Sequence, residues 1–192
     1  MAQRDDIDAL VIASPNHLHI DQIEMLSANP RPLLVEKPLY TDTAQAARLE
    51  AIAASYKAPV WVAMEYRYMP AVCRLIDEIP ASAGDLKMLT IREHRFPFLA
   101  KIGDWNRFNN NTGGTLVEKC CHFFDLMRLI TGGEAVRVMA SAGQAVNHLD
   151  ERCEGKVPDI WDHGFVLVDF DNGKRAMLEL CMFAEGSRFQ EK

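Results

Sequence analysis

The feature that most constrains the fold is a set of three short, unbroken apolar runs in the first third of the chain. They are Asp8-Ala9-Leu10-Val11-Ile12-Ala13-Ser14, Leu33-Leu34-Val35 and Val60-Trp61-Val62-Ala63-Met64. Apolar runs of this length, bounded by turn residues, read as buried strands. The first ends at Pro15-Asn16, and residues from about Leu18 to Ala28 read as a helix that Pro30 and Pro32 stop. Thr41-Asp42-Thr43 offers side-chain oxygens to cap a second helix, in which Leu49, Ile52, Ala53 and Tyr56 recur on one face. Strand, helix, strand, helix, strand, with little polar alternation in the strands, predicts parallel β buried between helices, half of a doubly wound sheet.

After about Pro70 the texture changes. A helix around Ala71–Ile79 leads to Pro80-Ala81-Ser82-Ala83-Gly84, a linker by composition. Lys87–Phe96 alternates as a strand with one exposed face, and Gly114–Ile130 reads as one strong helix stopped at Gly132-Gly133. Phe165–Phe170, an Asn172-Gly173 turn and Arg175–Phe183 form a hairpin. The expected organisation is therefore α/β: residues 1–80 as part of a doubly wound parallel sheet, then 81–192 as a partial α+β domain with a mostly antiparallel sheet. No internal repeat or low-complexity segment interrupts this pattern.

Charge excludes some functions. The formal net charge is -6, with no cluster of Lys and Arg to meet phosphates, so no nucleic-acid surface is expected. No apolar stretch is long enough to span a bilayer, and the opening MAQRDDIDAL is too acidic for a signal peptide. Five cysteines, including the adjacent Cys120 and Cys121, lack the spacing of a zinc site and read as reduced, structural thiols of a cytoplasmic protein.

In an open parallel sheet, ligands collect at the carboxyl ends of the strands. The first strand runs into Ser14-Pro15-Asn16-His17-Leu18-His19 and the second into Glu36-Lys37-Pro38. A lysine there can donate a hydrogen bond to a hydroxyl oxygen and ease loss of its proton; a solvated loop is the plain alternative. In the strong helix, Glu118, His122 and Asp125 are spaced by four and three and would share a face. A carboxylate one turn from an imidazole orients the ring and favours its protonated form, which suits a general base, though exposed helices carry the same pair. Further metal ligands are lacking nearby, so no metal is expected. Trp105-Asn106-Arg107 and Asn109-Asn110-Asn111 read as a substrate-contacting loop or a polar surface loop, and Asp162-His163 as cleft residues or a strand-end cap.

Together these motifs resemble the Gfo/Idh/MocA oxidoreductases, named for glucose-fructose oxidoreductase and inositol dehydrogenase. The landmarks are DALVIASPNHLH, LLVEKPLYTDTAQAARL, VAMEYRYMP, GGTLVEKCCHFFDLM and VDFDNGKRAMLEL, in the family's order over nearly the whole chain. The resemblance implies a Rossmann domain that binds NAD or NADP and a hydride transfer from a sugar, polyol or related hydroxy compound. It implies that Lys37 lies between nicotinamide and substrate hydroxyl, that His122 receives the hydroxyl proton, and that Glu118 replaces an acidic residue that is usually Asp. Ser14, Pro15, Asn16, His19 and Glu36 match the cofactor-lining stretches, and Arg67 falls in a segment that approaches the nicotinamide. Trp105 and Arg107 join Lys37, Glu118 and His122 on the substrate side. A cis Lys37–Pro38 bond is also implied, and a homo-oligomer is expected because unpaired sheet edges invite self-association.

The family's Gly-x-Gly-x-x-Gly phosphate turn has no counterpart, because the first glycine is Gly84. A pyrophosphate needs that turn for close backbone approach. The chain thus reads as beginning inside the nucleotide domain, at about its fourth strand, and as stopping near Glu185–Gln190, before further strands of the second sheet. Weak cofactor binding by the chain alone follows as an expectation. The alternatives to an enzyme are a non-catalytic ligand-sensing or regulatory relative and an inactive fragment.

Overall fold

A computed structural model describes residues 4–189; the first three and last three residues, parts of the chain ends read above, lie outside the described residues. The chain forms two compact units. One comprises the residues up to Met64 together with Ile102–Cys121, and the other Glu65–Lys101 together with the residues from His122 onward.

In the first unit, β1 (Leu10–Ile12), β2 (Leu33–Val35) and β3 (Val60–Val62) pair in parallel in that order, with Leu10 opposite Leu33 and Leu33 opposite Val60. A 3₁₀ turn at Asn16–Leu18 leads into α1 (His19–Leu26), and α2 (Thr43–Ala53) starts where the Asp42 carboxylate accepts the Gln45 N–H at 2.8 Å. Ile20, Ile23 and Leu26 of α1 and Ile52 of α2 pack with Leu10, Ile12, Leu33 and Val35. Both helices thus cover the same face. Alternate strand residues point to the opposite face, where Val11 is 67% and Trp61 58% exposed. This corrects the expectation of strands buried on both sides. β1 and β3 are also shorter than the apolar runs that announced them, whereas β2 matches its run.

The same unit contains a 3₁₀ segment, Ile102–Arg107, followed by α4 (Asn109–Thr112) and α5 (Thr115–Glu118). Gly113 joins α4 to α5 at φ 77°, and a Cβ there would lie 2.5 Å from the Thr41 carbonyl. Only glycine fits that approach.

In the second unit, a 3₁₀ turn at Glu65–Tyr68 precedes α3 (Pro70–Ser82), and α6 (Cys121–Thr131) lies between β4 (Met88–His94) and β5 (Ala135–Gly143). β6 (His163–Phe170) and β7 (Arg175–Cys181) complete a sheet of order β4-β7-β6-β5. β5–β6 and β6–β7 are antiparallel, as expected of most of this sheet, whereas β4 joins β7 in parallel. Val166, Val168, Phe170, Ala176, Leu178 and Leu180 form its buried face, and Phe165 and Leu167 point outward. The Asn172 amide and the Lys174 ammonium donate to the Thr131 carbonyl at 3.0 and 2.7 Å, fastening the end of α6 to the β6–β7 turn.

Three expectations need correction. The linker read at Pro80–Gly84 is helical as far as Ser82. Proline at 80 forfeits only its own N–H, and the Ala83 N–H bonds the Ile79 carbonyl at 2.9 Å. The helix read as Gly114–Ile130 is two helices, α5 and α6, separated at Lys119-Cys120. The Cys120 N–H reaches back five residues, to the Thr115 carbonyl, at 3.4 Å. β5 was not anticipated, and a register shift between Ala135 and Arg137 offsets its alternation.

Candidate active site

The first cluster is built at the carboxyl ends of β1 and β2. The Glu36 N–H bonds the Ile12 carbonyl at 2.8 Å, continuing the ladder so that both loops leave the sheet side by side. His19, 0% exposed, sits between them: Nε2 is 2.9 Å from the Ser14 carbonyl and Nδ1 2.8 Å from the Pro38 carbonyl. It acts as a brace between the loops. Lys37–Pro38 is a cis bond, as the motif implied. The Ser14 hydroxyl donates to the Gln22 side-chain oxygen at 2.7 Å, and half-buried Pro15 opens the 3₁₀ turn that carries Asn16.

Three polar side chains from separate elements meet here. The Lys37 ammonium donates to the Glu118 carbonyl at 2.9 Å and lies 4.0 Å from its carboxylate, which also accepts a hydrogen bond from the Asn16 amide. The Glu118 carbonyl, at the last residue of α5, also accepts the Cys121 thiol at 3.7 Å. The break between α5 and α6 therefore lies where the lysine is held. Asn16 and Glu118 are buried, and Lys37 is half-buried. Glu36 is exposed, its carboxylate 3.3 Å from the Lys37 backbone N–H. Trp105 stands edge-on to His17 at 6.4 Å and its carbonyl accepts the Asn111 amide at 3.0 Å, while Arg107 is buried.

The second cluster lies at the start of α6. His122 is 3% exposed, its Nε2 3.4 Å from the Glu65 carboxylate, and its ring stacks on Tyr66 with centroids 4.2 Å apart and planes 8° from parallel. Tyr66 also meets Phe123 edge-on at 5.8 Å. Arg67 grips Asp125 with two hydrogen bonds, Nε–Oδ2 at 2.5 Å and Nη2–Oδ1 at 2.6 Å. That contact holds the guanidinium above its usual range. Asp125, placed with His122 by spacing, is thus the partner of Arg67. Glu118 and His122 do not share a helix, and the Glu65 carboxylate lies beside His122. Sequence reasoning missed Glu65 and Tyr66, although they follow the third apolar run at the kind of strand end that flagged Lys37.

Asp162 and His163 are a loop anchor. Burial would raise the Asp162 carboxyl, but hydrogen bonds from His163 and from the Asn147, Val146 and Ala145 N–H groups hold it below the usual range. Cys120 is buried and Cys121 half-buried, both outside any disulfide. Among the described residues no group of three or more His, Cys, Asp or Glu is placed to hold a metal, and no helix is long and apolar enough to cross a membrane.

Residues 1–64 match a family model described as "Oxidoreductase family, NAD-binding Rossmann fold", and residues 82–192 its "C-terminal alpha/beta domain". Over 187 residues the chain is 28% identical to the rhizopine catabolism protein MocA of Rhizobium meliloti, covering 94% of this chain and 54% of that protein. It is 28% identical over 176 residues to inositol 2-dehydrogenase of Rhizobium meliloti strain 1021, covering 90% and 50%. A crystal structure of a putative myo-inositol dehydrogenase from Sinorhizobium meliloti 1021 superposes with a TM-score of 0.77 at 27% identity, over 95% of this chain and 53% of that one. The chain spans about half the length of the curated relatives it matches. Its two parts, a parallel sheet of Rossmann type and a mixed-sheet α/β domain, each carry their own match: the chain belongs to the Gfo/Idh/MocA oxidoreductase family.

Proposed function

We propose that this chain carries the nicotinamide end and the substrate face of an NAD(P)-dependent dehydrogenase acting on the CH–OH group of a sugar, polyol or related hydroxy compound. The observation that carries the reading is the Lys37 ammonium at a strand end, held 2.9 Å from the Glu118 carbonyl. Inositol 2-dehydrogenase among the relatives supports a polyol as substrate. The reading keeps the boundary between the family domains near residue 80, a cytoplasmic setting that five cysteines outside any disulfide suit, and a homo-oligomer.

The donor set suits one end of the cofactor. Ser14, Pro15, Asn16, Glu36 and Lys37 line two loops whose hydroxyl, amide and ammonium groups match the amide and ribose hydroxyls of a nicotinamide nucleoside, with His19 as the brace and Arg67 as a further contact. For the pyrophosphate the fit fails among the described residues up to Met64, which include no glycine and no positive φ. When bound, the nicotinamide supplies a hydride acceptor. Lys37 donates a hydrogen bond to the substrate hydroxyl oxygen, stabilising the charge that grows there as its proton leaves. His122 takes that proton. Glu118 fixes the lysine, and Trp105 and Arg107 shape the substrate side.

Calorimetric titration of the 192-residue chain with NAD and NADP, with its mass by light scattering, should give weak cofactor binding by an oligomer. At saturating cofactor, a panel of polyols including myo-inositol should yield reduced nicotinamide in a single turnover. No reduction with any member of the panel would overturn the reading.

A further inference from the structure

We propose that Glu65 is the positioning residue of His122: it sets the ring's charge and carries protons between this buried imidazole and water. The two side chains differ sharply in exposure, 3% for His122 against 60% for Glu65, while Nε2 and Oε1 lie 3.4 Å apart. A buried base that accepts a proton in each turnover must return it to solvent, and a carboxylate in contact with both ring and water is such a route. Tyr66, beside Glu65 on the same turn, lies flat on the ring and keeps it from tilting away from the carboxylate.

The carboxylate of α6 itself, that of Asp125 one turn along, is bound to an arginine, Arg67. Glu118 and Lys119, on the preceding turn of the chain, are buried, and the Glu118 carboxylate is held by Asn16.

The role in turnover rests on the dehydrogenase reading. As the C–H bond breaks, its electron pair and hydrogen leave as hydride for the cofactor, and the O–H proton passes to His122. The imidazolium then gives its Nε2 proton to Glu65 Oε1, and the carboxyl gives that proton to water. The ring ends neutral and Glu65 ends ionised, as both began.

The test reads the ring itself, by nitrogen-15 NMR of His122 in the 192-residue chain. In Glu65→Gln the ratio of charged to neutral ring should fall about tenfold, the size of effect one nearby carboxylate produces, and exchange of the ring N–H with water should slow. Glu65→Asp should recover part of both, and Tyr66→Phe, which keeps the stack, should leave both in place. Identical ring shifts and exchange in the wild type and Glu65→Gln would overturn the proposal. So would an equal effect from Tyr66→Phe, which would assign the behaviour to the phenol. The backbone amide spectrum checks each fold, and if Glu65→Gln perturbs it throughout, Glu65→Asp decides. Hydride transfer plays no part in this readout, so absent turnover would overturn the proposed activity alone.

Discussion

The two sheets reach stability by different routes. In β1 and β2 three-residue strands bury two side chains each, and the loops beyond them are held by polar contacts between distant parts of the chain: His19 to both loops, Asn16 and Lys37 to Glu118. The strands of seven to nine residues in the second unit include three that alternate buried and outward residues. There the polar contacts anchor loops at the margin, as Asp162 does. Where strands are short, hydrogen bonds position the chemistry; where they are long, an apolar face provides the body and chemistry sits on the elements that flank it.

The largest expected effect asks whether the units share a task. His122→Ala, in the second, should slow hydride transfer by roughly 10²–10⁴-fold, the range for losing a general base. Lys37→Ala, in the first, should act comparably, and Glu118→Gln less. Single-turnover measurement at saturating cofactor checks this; an unchanged rate in His122→Ala would reassign His122 to structure.

The next effect sharpens the contrast in stability. His19→Ala removes the fully buried ring that bridges the Ser14 and Pro38 carbonyls and should cost roughly 2–4 kcal/mol, from the lost hydrogen bond and the cavity left behind. Hydrogen exchange should show the loss in the first unit and leave β6 and β7 protected. Uniform loss across both sheets would mean that the units unfold together and that the contrast is one of geometry alone.

Asp162→Asn gives the smallest effect, about 1.5–3 kcal/mol, the worth of hydrogen bonds to a charged group. The folded carboxyl is depressed, so its stabilisation is complete above the ordinary unfolded value, about 3.9, and is lost as pH falls through the lower folded value. Urea midpoints of the wild type and the variant should therefore differ at neutral pH and converge in acid.

Much of this was legible in the residues. Apolar runs between helical segments located β1, β2 and β3, and the Asn172-Gly173 turn located the hairpin, because both signals are local. The pairing of Lys37 with Glu118 was not, because helix periodicity carries α5 into α6 without a break and nothing in the spacing shows a carbonyl that accepts a distant lysine. β5 escaped because the Ala-Ser-Ala-Gly end of its sequence is weakly apolar and its residues are largely exposed. Glu65 was legible by rule, since it follows a parallel strand, but its partner His122 lies 57 positions away and no local spacing links the two. The open face carrying Val11 and Trp61 could not be read at all, because an apolar strand looks the same whether one face or two are covered.

The chain passes between its units at Met64/Glu65, Lys101/Ile102 and Cys121/His122. A hybrid with a relative therefore cannot exchange the second unit as one continuous piece; it needs two grafts, 65–101 and 122–192. A single crossover after residue 121 would bring in a new His122 and leave the old Glu65 to face it. A shuffled library built on single joints would thus separate the histidine from its carboxylate, whereas double joints would move them as a matched pair.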